Sequence, residues 1–373
     1  MINRLTVSNY RSLGENVVIT FGRLTALVGP NGSGKSNVVD ALRFLADAMR
    51  MGLSGAITHR YGIQAVRRWS GGHPHNLLLR VDLTLPSGPA SYALELTGDS
   101  QQEYKIKYED AMVSTPDGAV RFRVENATWR GPEGLAPRVD GQTLALPLIG
   151  GDARFAGLLS ELQSISVYAI FPDRLREPQK YSPTKPLDQH GANWASILKD
   201  QAAETWKPDL VAALLKLTGD VEDIRITSAA SYLVARFQHH APSKKNPKWF
   251  DAAQQSDGTL RVAGILTALL QQPAVPVIGI EEPELTVHPG AMPLIFDFLQ
   301  QASRESQVII TTHSPELLER LEPEMVRVVA RTAGITRVSP MNEDQRTRVK
   351  DGLMTLGELL RIEGVQPSLD FGA

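Results

Sequence analysis

No cysteine occurs in the 373 residues, which excludes disulfide staples, thiolate nucleophiles and cysteine-ligated zinc. Long apolar runs are missing too. Stretches such as 275–280 fall far below the ~20 residues that a helix needs to span a bilayer. The start, Met1-Ile2-Asn3-Arg4-Leu5-Thr6-Val7, goes directly into strand-like alternation rather than a basic region followed by an apolar one. The expectation is a cytoplasmic chain with no targeting segment and no membrane partner. Nor is there an excess of one charge: the formal net charge is −2, so attraction to nucleic acid has to come from a local basic patch. Repeats and low-complexity tracts are absent. What is there, 42% hydrophobic and 21% charged residues, is the composition of a globular chain with a large core.

Patterning divides the chain at about residues 75, 250 and 345. Residues 1–75 read as two or three strands, then a glycine-rich loop and a helix from Asn37 to Met49 with Val38, Ala41, Leu42 and Leu45 at helical spacing. Within 76–250, alternation up to Trp129, with turn signals at Pro86-Ser87-Gly88 and Thr115-Pro116-Asp117-Gly118, predicts an antiparallel meander. Residues 154–218 then look helical around a short strand at 166–171, residues 223–237 look like a strand pair, and 241–250 look like a polar loop. Residues 251–345 return to α/β rhythm: helix 259–271, strand 275–280, helix 291–304, strand 307–312. In the tail, 346–373, the stretch Leu353 to Val365 with Leu356, Leu359, Leu360 and Ile362 predicts an amphipathic helix that docks on the body or on a partner, with the body favoured. The fold class expected is α/β, a mixed or parallel core sheet split by an antiparallel β subdomain and a helical insertion.

Four segments carry candidate chemistry. Gly29-Pro30-Asn31-Gly32-Ser33-Gly34-Lys35-Ser36 fits the phosphate-loop pattern, in which glycines let backbone N–H groups curl around phosphate oxygens at a helix N-terminus. Lys35 then bridges the β- and γ-phosphates and the Ser36 hydroxyl ligates Mg²⁺. In Pro276-Val277-Ile278-Gly279-Ile280-Glu281-Glu282-Pro283-Glu284 an apolar strand ends in adjacent carboxylates. Successive strand residues face opposite ways, so Glu281 can hold Mg²⁺ while Glu282 orients or deprotonates water. An acidic turn after a buried strand gives the same pattern; the phosphate loop upstream favours the chemical role. Val308-Ile309-Ile310-Thr311-Thr312-His313-Ser314-Pro315 places His313 at another strand exit, where it can meet a γ-phosphate or serve as a hydrogen-bonded structural residue. Finally, Gln255-Ser256-Asp257-Gly258-Thr259 is at least an N-cap, and it also has the geometry of a phosphate-binding helix start.

These elements in this order resemble the ABC-type ATPase heads of the SMC, RecF and OLD families. Val7-Ser8-Asn9-Tyr10-Arg11-Ser12-Leu13 is similar to the segment that opens those heads, Asn31-Gly32-Ser33-Gly34-Lys35-Ser36-Asn37 to their phosphate loop and Ser256-Asp257-Gly258 to their signature. Glu281-Glu282-Pro283-Glu284 with His288-Pro289, then Thr312-His313-Ser314, resembles the OLD branch most, where Glu replaces the usual Asp before the catalytic Glu. The resemblance implies ATP and Mg²⁺ as ligands. It places Asn31, Gly32, Ser33, Gly34, Lys35, Ser36, Asn37 and Arg11 on the nucleotide, Ser36, Glu281 and Gln64 (as the family's glutamine switch) at the metal, and Lys35, Glu282 and His313 in catalysis. Ser256 and Gly258 would serve the ATP of a second copy, giving a homodimer that closes on ATP and opens on hydrolysis.

No heptad segment long enough for an SMC arm occurs, and the stretch after His313 is short for the nuclease domain of the full-length OLD enzymes. The resemblance therefore implies an ATP-driven sensor or regulator in prokaryotic defence, acting through a separate effector, a nuclease or toxin. The alternatives are a RecF-like repair ATPase on DNA and an ATP-binding scaffold with little turnover. DNA contact is a further possibility for two basic and aromatic stretches. One runs from His59-Arg60-Tyr61 through Arg67-Arg68-Trp69, and the other is Lys244-Lys245-Asn246-Pro247-Lys248-Trp249. Solvated loops are the plainer explanation of both.

Overall fold

The computed structural model describes residues 1–68, 75–200, 206–241 and 247–368. Two compact units interleave along the sequence: Met1–Ile165 with Pro323–Leu353 and Val365–Ala373, and Ser166–Glu322 with Met354–Gly364.

The first unit is built on the meander. Its strand Leu77–Leu85 alternates so that Leu77, Leu79, Val81, Leu83 and Leu85 are all buried, the period of two that puts every second side chain on one sheet face. It lies in a seven-stranded antiparallel sheet in the order Val17–Thr20, Ile2–Ser8, Leu77–Leu85, Gly88–Thr97, Lys105–Thr115, Gly118–Glu125, Thr128–Arg130. Both turn signals close tight hairpins, with Leu85 opposite Gly88 and Thr115 opposite Gly118. The same unit holds Leu24–Val28 parallel to Val326–Thr332, which pairs antiparallel with Ile335–Pro340. The helix opened by the phosphate loop spans Lys35–Thr58 and bends at Gly52, longer than the periodicity of 37–49 indicates. Arg50 ties it to the helix Ala153–Ser164, donating to the carbonyls of Gln163 (2.6 Å) and Ile165 (2.9 Å).

Beneath the meander lies a buried carboxylate. Glu109 is fully buried and accepts from the backbone N–H groups of Ala145 (2.5 Å) and Leu146 (3.0 Å) and from the Tyr92 hydroxyl (3.1 Å). Burial outweighs these donors and pushes its pKa from 4.5 up to about 7. The folded chain thus keeps a proton that the unfolded chain releases, and this contribution to stability, complete below pH 4.5, is lost as pH rises through about 7. Urea midpoints at pH 5 and pH 7.5 are expected to differ more for the wild type than for Glu109→Gln. An equal pH dependence in the two proteins would contradict this assignment.

The second unit centres on Val277–Glu281, flanked in parallel by Ser166–Tyr168 and Gln307–Thr312. The same unit holds the helix Asp257–Leu270, in which every residue from Thr259 onward is buried. This explains why its sequence is apolar on all sides. Val221–Ala229 and Tyr232–His239 form the expected strand pair. The polar loop expected at 241–250 is corrected in part: Lys248–Asp251 is a strand, because Trp249 and Phe250 pair with Gln238 and Phe237. The tail helix is Leu356–Ile362, docked within this unit by buried Leu356 and Leu359 and by Arg361, whose guanidinium reaches Glu316 and Glu319 at 2.8 Å each. Ile362, expected on the docked face, is 74% exposed. Among the described residues no helix is long and apolar enough to cross a membrane.

Candidate functional site

The phosphate loop links a fully buried strand, Leu24–Val28, to the start of a 24-residue helix, so its N–H groups sit at the positive end of a helix dipole. Gly32 and Gly34 have φ of +76° and +104°, a region that side chains with a Cβ avoid. At Gly34 a Cβ would also meet Thr336 Oγ1 at 2.3 Å, whereas Gly32 faces open space. The Lys35 ammonium is buried and donates across the loop to the carbonyls of Gly29 (2.9 Å) and Pro30 (3.2 Å). Asn31, Gly32 and Ser36 are exposed, Asn37 is half-buried, and Ser33 is buried. This is a cradle that fits an oligophosphate. Ser36 presents a hydroxyl at its rim, the kind of hard oxygen that Mg²⁺ takes.

The opening segment is fastened to this helix. Asn37 Nδ2 donates to Ser12 Oγ (2.6 Å), which shares a hydrogen bond with Thr336 Oγ1 (2.7 Å), and that hydroxyl donates to the Ser33 carbonyl (2.7 Å). Arg11, at φ +50°, forms an ion pair with buried Asp40 at 3.0 Å. Asp40 also takes Arg43 (2.5 Å), Arg60 (3.1 Å) and the Tyr10 hydroxyl (2.6 Å). Burial alone would raise the Asp40 pKa, but the three guanidinium groups and the tyrosine hold it below its ordinary value.

In the second unit, the carboxylate strand exits at a strained residue. Glu282 has φ +45°, costly for a side chain with a Cβ, and is pinned from both sides. Its N–H donates to the carbonyl and the hydroxyl of Thr311 (3.0 and 3.1 Å), and its carbonyl accepts from Arg261 (2.9 Å). His313 Nδ1 lies 3.9 Å from the Glu282 carboxylate and 3.4 Å from that of Glu284. The structure thus brings Glu282 and His313 together, with Glu281 one residue earlier on the parallel strand.

Ser256 caps the helix Asp257–Leu270, accepting from the Thr259 N–H (3.1 Å). Ser256 and Asp257 are exposed. A Cβ at Gly258 would meet the Thr286 carbonyl at 3.0 Å, so glycine allows the loop after the carboxylates to approach. Arg176 pairs with Asp257 at this helix start.

Two residues here escaped the sequence reading. Glu284 orients the others: its Oε1 accepts from Thr312 Oγ1 (2.7 Å) and from the His313 N–H (2.8 Å), while Oε2 is buried without a hydrogen-bond partner among the described residues. Its place in Glu-Glu-Pro-Glu was visible but not its direction. Arg261 lies within an apolar helix, where an arginine at 4% exposure is itself a signal. It donates to the carbonyls of Ile170 (2.7 Å), Glu281 (3.3 Å) and Glu282 (2.9 Å). Burial lowers its pKa, and Glu284, Glu282 and Glu281 pull it back up. Arg261→Met removes these donors and frees the backbone at Glu282. Equilibrium urea unfolding is expected to show a loss of about 2–4 kcal/mol, with Arg261→Lys closer to wild type; a change below about 0.5 kcal/mol would contradict the clamp.

Other expected residues have different company. Gln64 lines a pocket with Arg67, Arg68 and Gln101, and two guanidinium groups are of the wrong sign for a divalent cation. Arg60, in the first basic stretch, is 3% exposed and committed to Asp40 and Asp47 (2.8 Å). In the second stretch, Arg225 stacks 3.9 Å from the centre of the Trp249 ring, leaving at most one face for a base. Trp69, Lys244, Lys245 and Asn246 lie outside the described residues. Among the described residues no group of three or more His, Asp or Glu converges as an all-protein metal cage would. A Mg²⁺ held with substrate phosphates needs only one or two protein oxygens.

Comparison with known proteins bears on both ends of the chain. Residues 1–56 match the family model described as "RecF/RecN/SMC N terminal domain", and residues 205–319 match "AAA domain, putative AbiEii toxin, Type IV TA system". The chromosome partition protein Smc of Halothermothrix orenii is 34% identical over 85 residues, 22% of this chain and 7% of that protein. Smc of Mycolicibacterium paratuberculosis is 30% identical over 133 residues, 35% of this chain and 10% of that protein. The chain therefore spans a tenth or less of these relatives. A solved Smc head bound to the C-terminal winged-helix domain of ScpA shares the fold, with a TM-score of 0.59 at 16% identity over 93% of this chain and 99% of that one. A family model on the phosphate-loop end, a second on the far end and a head fold over nearly the whole length together support an ABC-type ATPase of the SMC/RecF group.

Proposed function

We infer that this chain binds and hydrolyses ATP as a dimer and that the closed dimer governs a separate effector, a nuclease or toxin, in prokaryotic defence against phage. The observation that carries the catalytic part is the strained Glu282, held between Thr311 and Arg261 with His313 3.9 Å from its carboxylate. In this reading the loop N–H groups of 31–34 and Lys35 gather the phosphates, with Asn37, through Ser12, and Arg11, through Asp40, tying the loop and its helix to the opening segment. Ser36 and Glu281 would hold Mg²⁺, which would supply charge neutralisation at the phosphates. Glu282 aligns water and takes its proton, and His313, oriented by Glu284, turns its other nitrogen toward the γ-phosphate. Ser256 and Gly258 of a second copy cover the same ATP with their helix start.

The effector part draws on other support. The model matched by residues 205–319 is described by a toxin–antitoxin context, and the Smc head of similar fold is itself bound to a separate protein. Light scattering of the purified chain is expected to show a monomer without nucleotide and a dimer with ATP and Mg²⁺; a mass indifferent to ATP would sink the composite site. Phage resistance conferred by this chain in cells lacking every neighbouring gene would contradict a separate effector. A RecF-like role on DNA draws on the match of residues 1–56, and tight ATP-dependent binding to gapped duplex would select it. If the biological function survives Glu282→Gln, the chain is a scaffold that needs no turnover.

A further inference from the structure

Among the described residues Arg67 is a buried cation without a counterion. It is 4% exposed. Its Nη2 donates to the carbonyls of Ser100 (2.7 Å) and Glu103 (3.1 Å), while its Nη1 is buried with no hydrogen-bond partner among the described residues. Carbonyls satisfy donors but do not neutralise charge, and a guanidinium taken out of water normally acquires a carboxylate. Here burial alone shifts its pKa, downward, and no charged neighbour restores it.

Arg67 lines a pocket of about 310 Å³ with Gln64, Arg68 and Gln101. The side chains of these three make no hydrogen bond to protein among the described residues. Four donor-bearing side chains, two of them cationic and none acidic, therefore converge on one space. The wall is rigidly placed: Tyr10 bridges Arg67, the Arg68 N–H donates to the Asn9 carbonyl (2.9 Å), and the Arg11 N–H donates to that of Val66 (2.7 Å). The volume is at the lower end of the roughly 300–1,000 Å³ typical of small-ligand sites. A recessed arginine suits a compact ligand that enters better than a duplex that lies across the surface.

We propose that the pocket formed by Gln64, Arg67, Arg68 and Gln101 binds a small phosphate ester of nucleotide size, separately from the phosphate loop. Arg67 and Arg68 take the phosphate oxygens. Gln64 and Gln101, each both donor and acceptor, are suited to the polar edge of the ester's organic part.

Titration calorimetry on the full chain carrying Lys35→Ala, which disables the phosphate loop, tests this with AMP, inorganic phosphate and a single-stranded oligonucleotide as probes. AMP is expected to bind, inorganic phosphate to bind more weakly, and both to weaken by about tenfold or more on adding Arg68→Ala. Gln101→Ala is expected to weaken AMP and spare phosphate. Arg68 is half-buried and Gln101 exposed, so both variants keep the fold even if Arg67→Ala does not. No binding of AMP or phosphate, or binding indifferent to Arg68→Ala, overturns the proposal. Binding of the oligonucleotide alone, with the same dependence on Arg68, overturns it in favour of a nucleic-acid strand. ATP binding at an intact phosphate loop, measured in Arg68→Ala alone, reports on the ATPase reading independently.

Discussion

Glu282→Gln is expected to lower ATP turnover by about two to four orders of magnitude while leaving ATP binding intact, and to hold the chain as an ATP-bound dimer. The substitution keeps the volume and the backbone. The strained φ of +45° is maintained by Thr311 and Arg261 through main-chain atoms, so the amide comes to the same place as the carboxylate. What is lost is the base. A neutral amide cannot take the proton of the attacking water, and the slow step becomes the hydrolysis that opens the dimer. Single-turnover release of phosphate measures the first effect, and light scattering with saturating ATP measures the second. Wild-type turnover, or a monomer under those conditions, rules out the role given to Glu282.

Lys35→Ala is expected to abolish ATP binding at the phosphate loop. The ammonium is buried and donates to the carbonyls of Gly29 and Pro30, so it is both a strut of the loop and the charge that the phosphates need. Alanine leaves these carbonyls without that donor and removes the cation facing two phosphate groups. The ATP-dependent change in mass should vanish with it. Lys35→Arg keeps the charge but not the point geometry and is expected to recover little. Near-normal ATP affinity in Lys35→Ala would mean that the loop does not hold the triphosphate.

The two units differ in how much of them was legible. Phosphate loop, meander, hairpin turns and the apolar strands leading to Glu282 and His313 all appear in the sequence, because each depends on local signals: glycine at positive φ, a period of two, and turn residues at fixed offsets. Lys248–Asp251 did not, since so short a strand exists only because Tyr232–His239 offers it a pairing edge. Ile362 followed the expected period and still faces outward, because which side of a short helix docks is settled by its neighbours, here Glu316 and Glu319 holding Arg361.

At the site the division is similar. Sequence by itself determined the glycine pattern of the loop 29–36 and the residue types at each strand exit, since these follow from spacing within a few residues. Only the tertiary structure decided that Glu284 faces His313, that Arg261 holds the backbone of Glu282, and that Gln64 keeps company with two arginines. Each of these depends on side chains brought together from distant parts of the chain, and burial decides which of their charges find a partner.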